Sequence, residues 1–283
     1  MGSLFSGLEA FGLGKLEKDL TVYQEEQEKK EAAVASGTAA EPEVTEGELL
    51  FDKTYNCPVC DSSFTSKMIR TGKVKLLNAD TDLRPKYVHV DCIKYDAILC
   101  PHCGYAALSR FFNFMMPSQA KLIKENISSN YHHKEVVGET YSYDEAIDRY
   151  KLALANTVVK KGKMSERAYV CLKLGWLCRG KAEELPTDTE DYDEKIKELA
   201  EEEKELLTNA FNGFMSAYSK EDFPMCGMDE NTVTYLCADL ARRIGKYEES
   251  SRLISKVLIA RDANERIKNK AREIKEMVQK EMH

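Results

Sequence analysis

A chain of 283 residues and 32.1 kDa, 43% hydrophobic and 31% charged, has room for about two domains and the composition of a folded protein, which excludes a wholly disordered or collagen-like polymer. The net charge of −7 is held by residues 1–48, with 11 acidic and 4 basic side chains, while the other 235 residues balance at 37 against 37, so the folded part lacks the cationic excess of a non-specific nucleic-acid binder. Apolar runs such as Ala97 to Cys100 fall far short of the ~20 residues that cross a bilayer, and no signal-peptide pattern opens the chain, which predicts a cytoplasmic protein with no membrane span.

Residues 4–20 place Leu4, Leu8, Phe11 and Leu16 in a weak amphipathic pattern, but Gly7, Gly12 and Gly14 each cost a helix ~1 kcal/mol. Gly7 to Gly12 opens like a phosphate loop, yet Leu13 stands where the phosphate-binding lysine is required. From Gln24 to Gly47 the composition is Glu/Lys-rich and then Ala/Ser/Gly/Pro-rich, too poor in apolar area to offset chain entropy, and reads as a tether. Residues 1–48 are therefore expected to be a flexible acidic leader.

Residues 49–105 carry the strand signals. Phe64 to Arg70 and Lys73 to Leu77 flank Thr71-Gly72 as a hairpin, and Tyr95 to Leu99 reads as a short strand. Nine cysteines without an export signal do not suggest a disulfide framework. Cys57-Pro-Val-Cys60 and Cys100-Pro-His-Cys103 are two C-x-x-C pairs, and four thiolates close a tetrahedron around zinc at ~2.3 Å with no position left for water. Cys57, Cys60, Cys100 and Cys103 are thus the expected ligands of a structural Zn2+ in a ribbon-like module. So small a sheet needs the metal, since structural zinc contributes ~10–16 kcal/mol in small fingers.

Two competing readings attach to the same residues. Cys100-Pro-His-Cys103 copies the tetrapeptide of strongly oxidising thiol–disulfide oxidoreductases, a chemistry that needs a βαβ pattern around it and gives the second pair no role. His89 and Cys92 lie near enough in sequence for either to replace one ligand.

After Gly104 the sequence reads helical. Ser142 to Glu145, Thr187 to Glu190 and Asp262 to Glu265 each set a capping side chain three residues ahead of a glutamate. Tyr143 to Leu154 looks like the second helix of a tetratricopeptide repeat, and Tyr235 to Val257 like a whole repeat with Gly245 at its turn. Leu174-Gly-Trp176 fits a first helix whose partner, roughly 190–219, is too long for a standard repeat; Trp176, Cys171 and Cys178 read as core on one face. Residues 181–230 carry 16 acidic against 5 basic side chains and 242–280 carry 12 basic against 6 acidic, which predicts solvated faces that attract each other within the chain.

The Cys57-Pro-Val-Cys60 knuckle, the Tyr95-Asp-Ala-Ile-Leu-Cys-Pro-His-Cys-Gly-Tyr-Ala-Ala107 run and the helical tail together resemble the uncharacterised bacterial proteins grouped as domain-of-unknown-function family 2225, over about residues 49–283. The resemblance implies architecture, a bacterial cytoplasmic setting and the four cysteines as metal ligands, and it carries over no catalytic residue. The fold class expected is α+β, mainly α: the leader over 1–48, a zinc-ribbon-like module over 49–105 and a degenerate tetratricopeptide-like helical array over 106–283. The function expected is that of a non-enzymatic, zinc-stabilised scaffold binding a peptide or protein partner on a helical-repeat surface, with the leader as a docking or self-occluding segment. Nucleic-acid binding through the ribbon and thiol–disulfide oxidoreduction through Cys100 and Cys103 are the alternatives, and no oligomeric state is implied.

Overall fold

A computed structural model describes residues 44–134 and 138–282. The leader up to Glu43, with its Leu4, Leu8, Phe11 and Leu16 pattern, lies outside the described residues. A 3-10 turn at Glu46–Leu49 is already tied down, because the Glu46 carboxylate takes Lys94 Nζ at 2.8 Å and the Tyr95 hydroxyl at 2.7 Å.

Three antiparallel strand pairs follow. β1 (Leu50–Asn56) pairs with β2 (Ser63–Ile69) from Leu50↔Ile69 to Asn56↔Ser63, β3 (Leu76–Ala79) with β4 (Pro85–Tyr87), and β5 (Ala97–Leu99) with β6 (Ala106–Leu108). The hairpin expected about Thr71-Gly72 does not form. β2 instead finds its partner upstream, across the turn at Cys57–Ser62 whose ends are joined by Cys57 N–H to Ser62 O at 3.0 Å, and the chain after Gly72 pairs forward into β4. Likewise Gly104 is not the end of strand structure: Ala106–Leu108 is a buried strand against β5, because the second C-x-x-C is itself a hairpin turn.

Seven α-helices then follow among the described residues: α1 (Pro117–Ile123), α2 (Tyr143–Val159), α3 (Met164–Glu184), α4 (Tyr192–Tyr218), α5 (Glu230–Arg243), α6 (Tyr247–Ile259) and α7 (Glu265–Glu281). From α2 onward each packs on its successor, and short connections such as Ile244 to Lys246 make neighbours run back on one another. α2 buries Tyr143, Ala146, Ile147, Tyr150 and Ala153 at helical spacing against β5, β6 and α3. α3 is buried around most of its circumference, with Cys171, Trp176 and Cys178 in the core, so it is the central element.

Local sequence explains most boundaries. Ser142 caps α2 by accepting Glu145 N–H at 3.2 Å, and Glu145 reaches back to Ser142 N–H at 2.8 Å. The other two expected starts shift. α4 begins after Asp191, which sits in the left-handed region at φ 57°, because Pro186 to Thr189 forms a turn, and α7 is capped by Asn264, whose side chain accepts Ile267 N–H at 2.9 Å. Gly245, at φ 83°, lets the chain reverse between α5 and α6. The acidic and basic blocks meet directly at Lys256 and Glu230 (3.2 Å), whereas α4 carboxylates find other partners, Glu203 with Arg179 at 2.7 Å and Glu202 with Lys151 at 2.8 Å.

The β3–β4 turn penetrates the helical layer. Asp82 is wholly buried and receives Arg179 Nη2 at 2.6 Å and Trp176 Nε1–H at 3.0 Å, with Arg243 Nε 3.5 Å away. Next to it, Thr81 donates to Asp239 at 2.7 Å and its carbonyl accepts the Tyr235 hydroxyl at 2.5 Å. Part of the helical layer is therefore covered by the chain's own Asp80 to Arg84.

Candidate metal centre

The two cysteine pairs occupy equivalent turns of two hairpins. In the first, Cys57 N–H donates to Ser62 O (3.0 Å) and Asp61 N–H to Cys57 O (2.9 Å); in the second, Cys100 N–H donates to Tyr105 O (2.8 Å) and Gly104 N–H to Cys100 O (3.0 Å). The residue after each second cysteine is left-handed, Asp61 at φ 61° and Gly104 at φ 72°. Such a turn directs both thiols of a pair to its inner side, and Val59 N–H supports this by donating to Cys57 Sγ at 3.4 Å.

The four sulfurs Cys57, Cys60, Cys100 and Cys103 lie within 4.8 Å of one another. Two close separations cross between hairpins, Cys57 to Cys103 at 3.5 Å and Cys60 to Cys100 at 3.7 Å. A tetrahedral ion with bonds of ~2.3 Å to sulfur requires edges of ~3.8 Å, so the donor set and its spacing fit a metal with four thiolate ligands. Hydrogen bonds from the Cys103 and Cys57 thiols hold Cys100 down at about 4, while the same contacts push Cys103 upward. Thiols packed this closely share protons, and a divalent cation replaces those protons when all four ionise.

The supporting shell is aromatic below and helical to one side. Tyr55, Phe64, Tyr105 and Phe112 form a cluster with centroid separations of 5.0 to 6.0 Å, packed with Ile98 and Ile123 beneath the cysteines. The second knuckle is bolted to α2 by buried Asn156, whose Nδ2 donates to Gly104 O and Leu152 O, each at 2.9 Å. Tyr131 covers the same turn so closely that a Cβ on Gly104 would meet its ring at 2.5 Å. Asn156 and Tyr131 were invisible to sequence reasoning, since an asparagine inside a helical pattern and an aromatic in a loop carry no local sign of a contact 52 or 27 positions away.

His89 and Cys92 are not part of the cluster. Cys92 lies in the 3-10 turn Cys92–Tyr95 and packs beside Val74 and Tyr87, where burial pushes its thiol up to about 12. Cys171, Cys178 and Cys237 are core residues whose thiols are likewise raised by burial. His132 and His133 stand exposed on the connection before α2.

The family described as an uncharacterized protein conserved in bacteria, DUF2225, matches residues 50–278. No curated protein and no solved structure matches the chain. Among the described residues no helix is long and apolar enough to cross a membrane.

Proposed function

The chain belongs to the DUF2225 family, and on that premise we propose that it is a non-enzymatic scaffold, held together by a structural Zn2+ on Cys57, Cys60, Cys100 and Cys103, that binds a protein or peptide partner on its helical surface. The observation that carries this reading is the set of four sulfurs presented by two equivalent hairpin turns at tetrahedral spacing. A four-thiolate site contributes folding energy and leaves no coordination position for a substrate. Zinc suits such a site because it has no preferred geometry beyond the tetrahedron the protein offers and no redox chemistry.

Thiol–disulfide exchange is less well supported. Cys100-Pro-His-Cys103 turns between antiparallel β5 and β6 instead of opening a helix, so it lacks the helix N-terminus that activates such a thiol, and each of its sulfurs has a sulfur of the other hairpin within 3.7 Å. The partner surface is the part of the helical layer that the Asp80 to Arg84 turn leaves free, where Ile259 at the end of α6 is 81% exposed.

Elemental analysis of full-length protein purified under reducing conditions tests the metal, with about one zinc per chain expected; clearly substoichiometric zinc rejects it. Affinity capture from a native bacterial lysate tests the scaffold: recovery of a defined protein that chelation abolishes supports it, and insulin reduction abolished by Cys100→Ser, or nucleic-acid affinity falling steeply with salt, replaces it.

A further inference from the structure

A cavity of about 300 Å³ opens where the strand-bearing module meets α3, and most of its wall is apolar: Met68, Ile69, Val74, Ile93 and the rings of Tyr87 and Tyr95. Cavities from ~300 Å³ upward hold small organic ligands. Its polar lining is an ion pair. Lys173 Nζ, from α3, donates to one oxygen of the Asp96 carboxylate, and the Ser109 hydroxyl donates to the other. Ser109 N–H also donates to the Asp96 carbonyl at 2.8 Å, so the three groups are held as a unit. Both charged side chains keep accessible surface where they border the cavity, 21% for Asp96 and 13% for Lys173.

Among the described residues Asp96 and Lys173 are the only charged side chains that line this cavity, and their charges cancel. Burial opposes both, yet each holds the other ionised, Asp96 below the ordinary carboxylate range and Lys173 above the ordinary lysine range. Cys92, Tyr87 and Tyr95, which also border the cavity, stay neutral because burial pushes each of them upward. Glu46 and Asp91, whose charges reach Cys92, are themselves paired with Lys94 at 2.8 Å and Arg84 at 3.3 Å. A charged ligand would be repelled by one member of the pair as it is attracted by the other.

Hydrogen-bonding capacity is what remains. Lys173 Nζ carries three N–H groups and has two partners, the Asp96 carboxylate and the Tyr169 ring, whose centroid is 4.8 Å away. Each Asp96 carboxylate oxygen takes one donor and has a second lone pair. The pair thus presents one donor beside two acceptors, and a primary carboxamide carries the inverse set, a carbonyl acceptor and two N–H donors. We propose that this cavity binds a small neutral primary carboxamide with an apolar body, its carbonyl on Lys173, its amino group on Asp96 and its body against Met68, Ile69 and Val74. This inference is independent of the scaffold reading, because it needs neither a protein partner nor a particular metal.

The test titrates the full-length, metal-loaded protein with benzamide, and with benzoate, benzylammonium and acetophenone, which keep the ring but carry a negative charge, a positive charge or no N–H donor. Calorimetry and saturation-transfer NMR of the ligand read the binding. Saturable binding of benzamide is expected, about tenfold or more weaker for each of the three analogues. Val74→Trp leaves Asp96, Lys173 and Ser109 in place and fills the cavity, so it should weaken benzamide by about tenfold or more with an unchanged far-ultraviolet circular dichroism spectrum. The proposal is overturned by no benzamide binding at millimolar concentration, by any one of the analogues binding as tightly, or by full binding in Val74→Trp.

Discussion

Asp82 and Trp176 stand 94 residues apart in the chain, and the indole Nε1–H of Trp176 donates to the Asp82 carboxylate at 3.0 Å where the acid has no solvent exposure. Arg179 completes the pairing with Nη2 at 2.6 Å and Nη1 at 3.1 Å, so a turn of the strand-bearing module supplies the counter-charge for the inside of the helical layer.

Asp82→Asn should destabilise the protein by about 2 kcal/mol, since it removes the buried charge that Arg179 and Trp176 hydrogen-bond while Glu203 continues to hold Arg179. Urea denaturation at pH 7 measures it, and a change under about 0.5 kcal/mol would show that the turn is only a surface cover.

The same acid predicts a pH dependence. Burial raises the Asp82 carboxyl, but hydrogen bonding and charge from Arg179, with Arg243 and Trp176, outweigh it and hold the group below the ordinary carboxylate range; Asp96 is held low in the same sense by Lys173. A carboxyl depressed in the folded state takes its proton first in the unfolded chain, at about pH 3.9, so its stabilisation is complete above that value and lost as the pH falls below it. Wild-type stability should therefore drop steeply below about pH 4, and Asp82→Asn should flatten part of that slope in urea midpoints measured from pH 7 to 3.

Metal removal should act on the hairpins first. Cys57→Ser or Cys103→Ser should abolish stoichiometric metal, and chelation should release the packing of Tyr55, Phe64 and Phe112. Near-ultraviolet circular dichroism follows those aromatics, and a spectrum unchanged by chelation at zero metal content would contradict the role given to the ion. Structural zinc is worth ~10–16 kcal/mol in small fingers, so a partial effect is not expected.

Glycine at the second knuckle is required twice, by its φ of 72° and by the Tyr131 ring. Gly104→Ala should cost about 2 kcal/mol or more, from the left-handed backbone and the clash together. Gly72→Ala, with nothing within 4 Å of the added carbon, should stay within about 0.5 kcal/mol. Thermal melts of the two variants compare them directly.

Helix starts give opposite signs. Ser142→Ala removes a cap that satisfies Glu145 N–H and should cost about 1 kcal/mol. Asp191→Gly relieves a left-handed residue that makes no capping hydrogen bond with its side chain and should stabilise by a few tenths of a kcal/mol to about 1 kcal/mol. Chemical denaturation midpoints should move in opposite directions.

The readable features were those written locally. Two C-x-x-C spacings announced the four sulfurs, the Ser142 to Glu145 pattern announced α2, and the apolar spacing around Trp176 announced a core helix. Strand pairing was less legible because β1 buries only Leu50 and Tyr55 among seven residues, giving no clean alternation, and because a run as short as Ala106–Leu108 has no period to read. The false start at Thr187 to Glu190 satisfied the capping rule locally, yet Pro186 bent that stretch into a turn. Arg149 and Asn156 looked like ordinary helix residues, since burial of a polar side chain is set by what tertiary packing lays over it.

Contacts from Thr81 reach as far as Arg243, 162 residues downstream. A turn with that reach behaves as a keystone, holding both flanks. Cutting the gene after Tyr105 would therefore not yield two autonomous pieces: the first fragment would carry an acid with no arginine to meet it, and the second a slot lined by Arg179 and Arg243 with nothing inside. The protein should melt in one step, and slowly re-form, because contacts this far apart along the chain close wide loops.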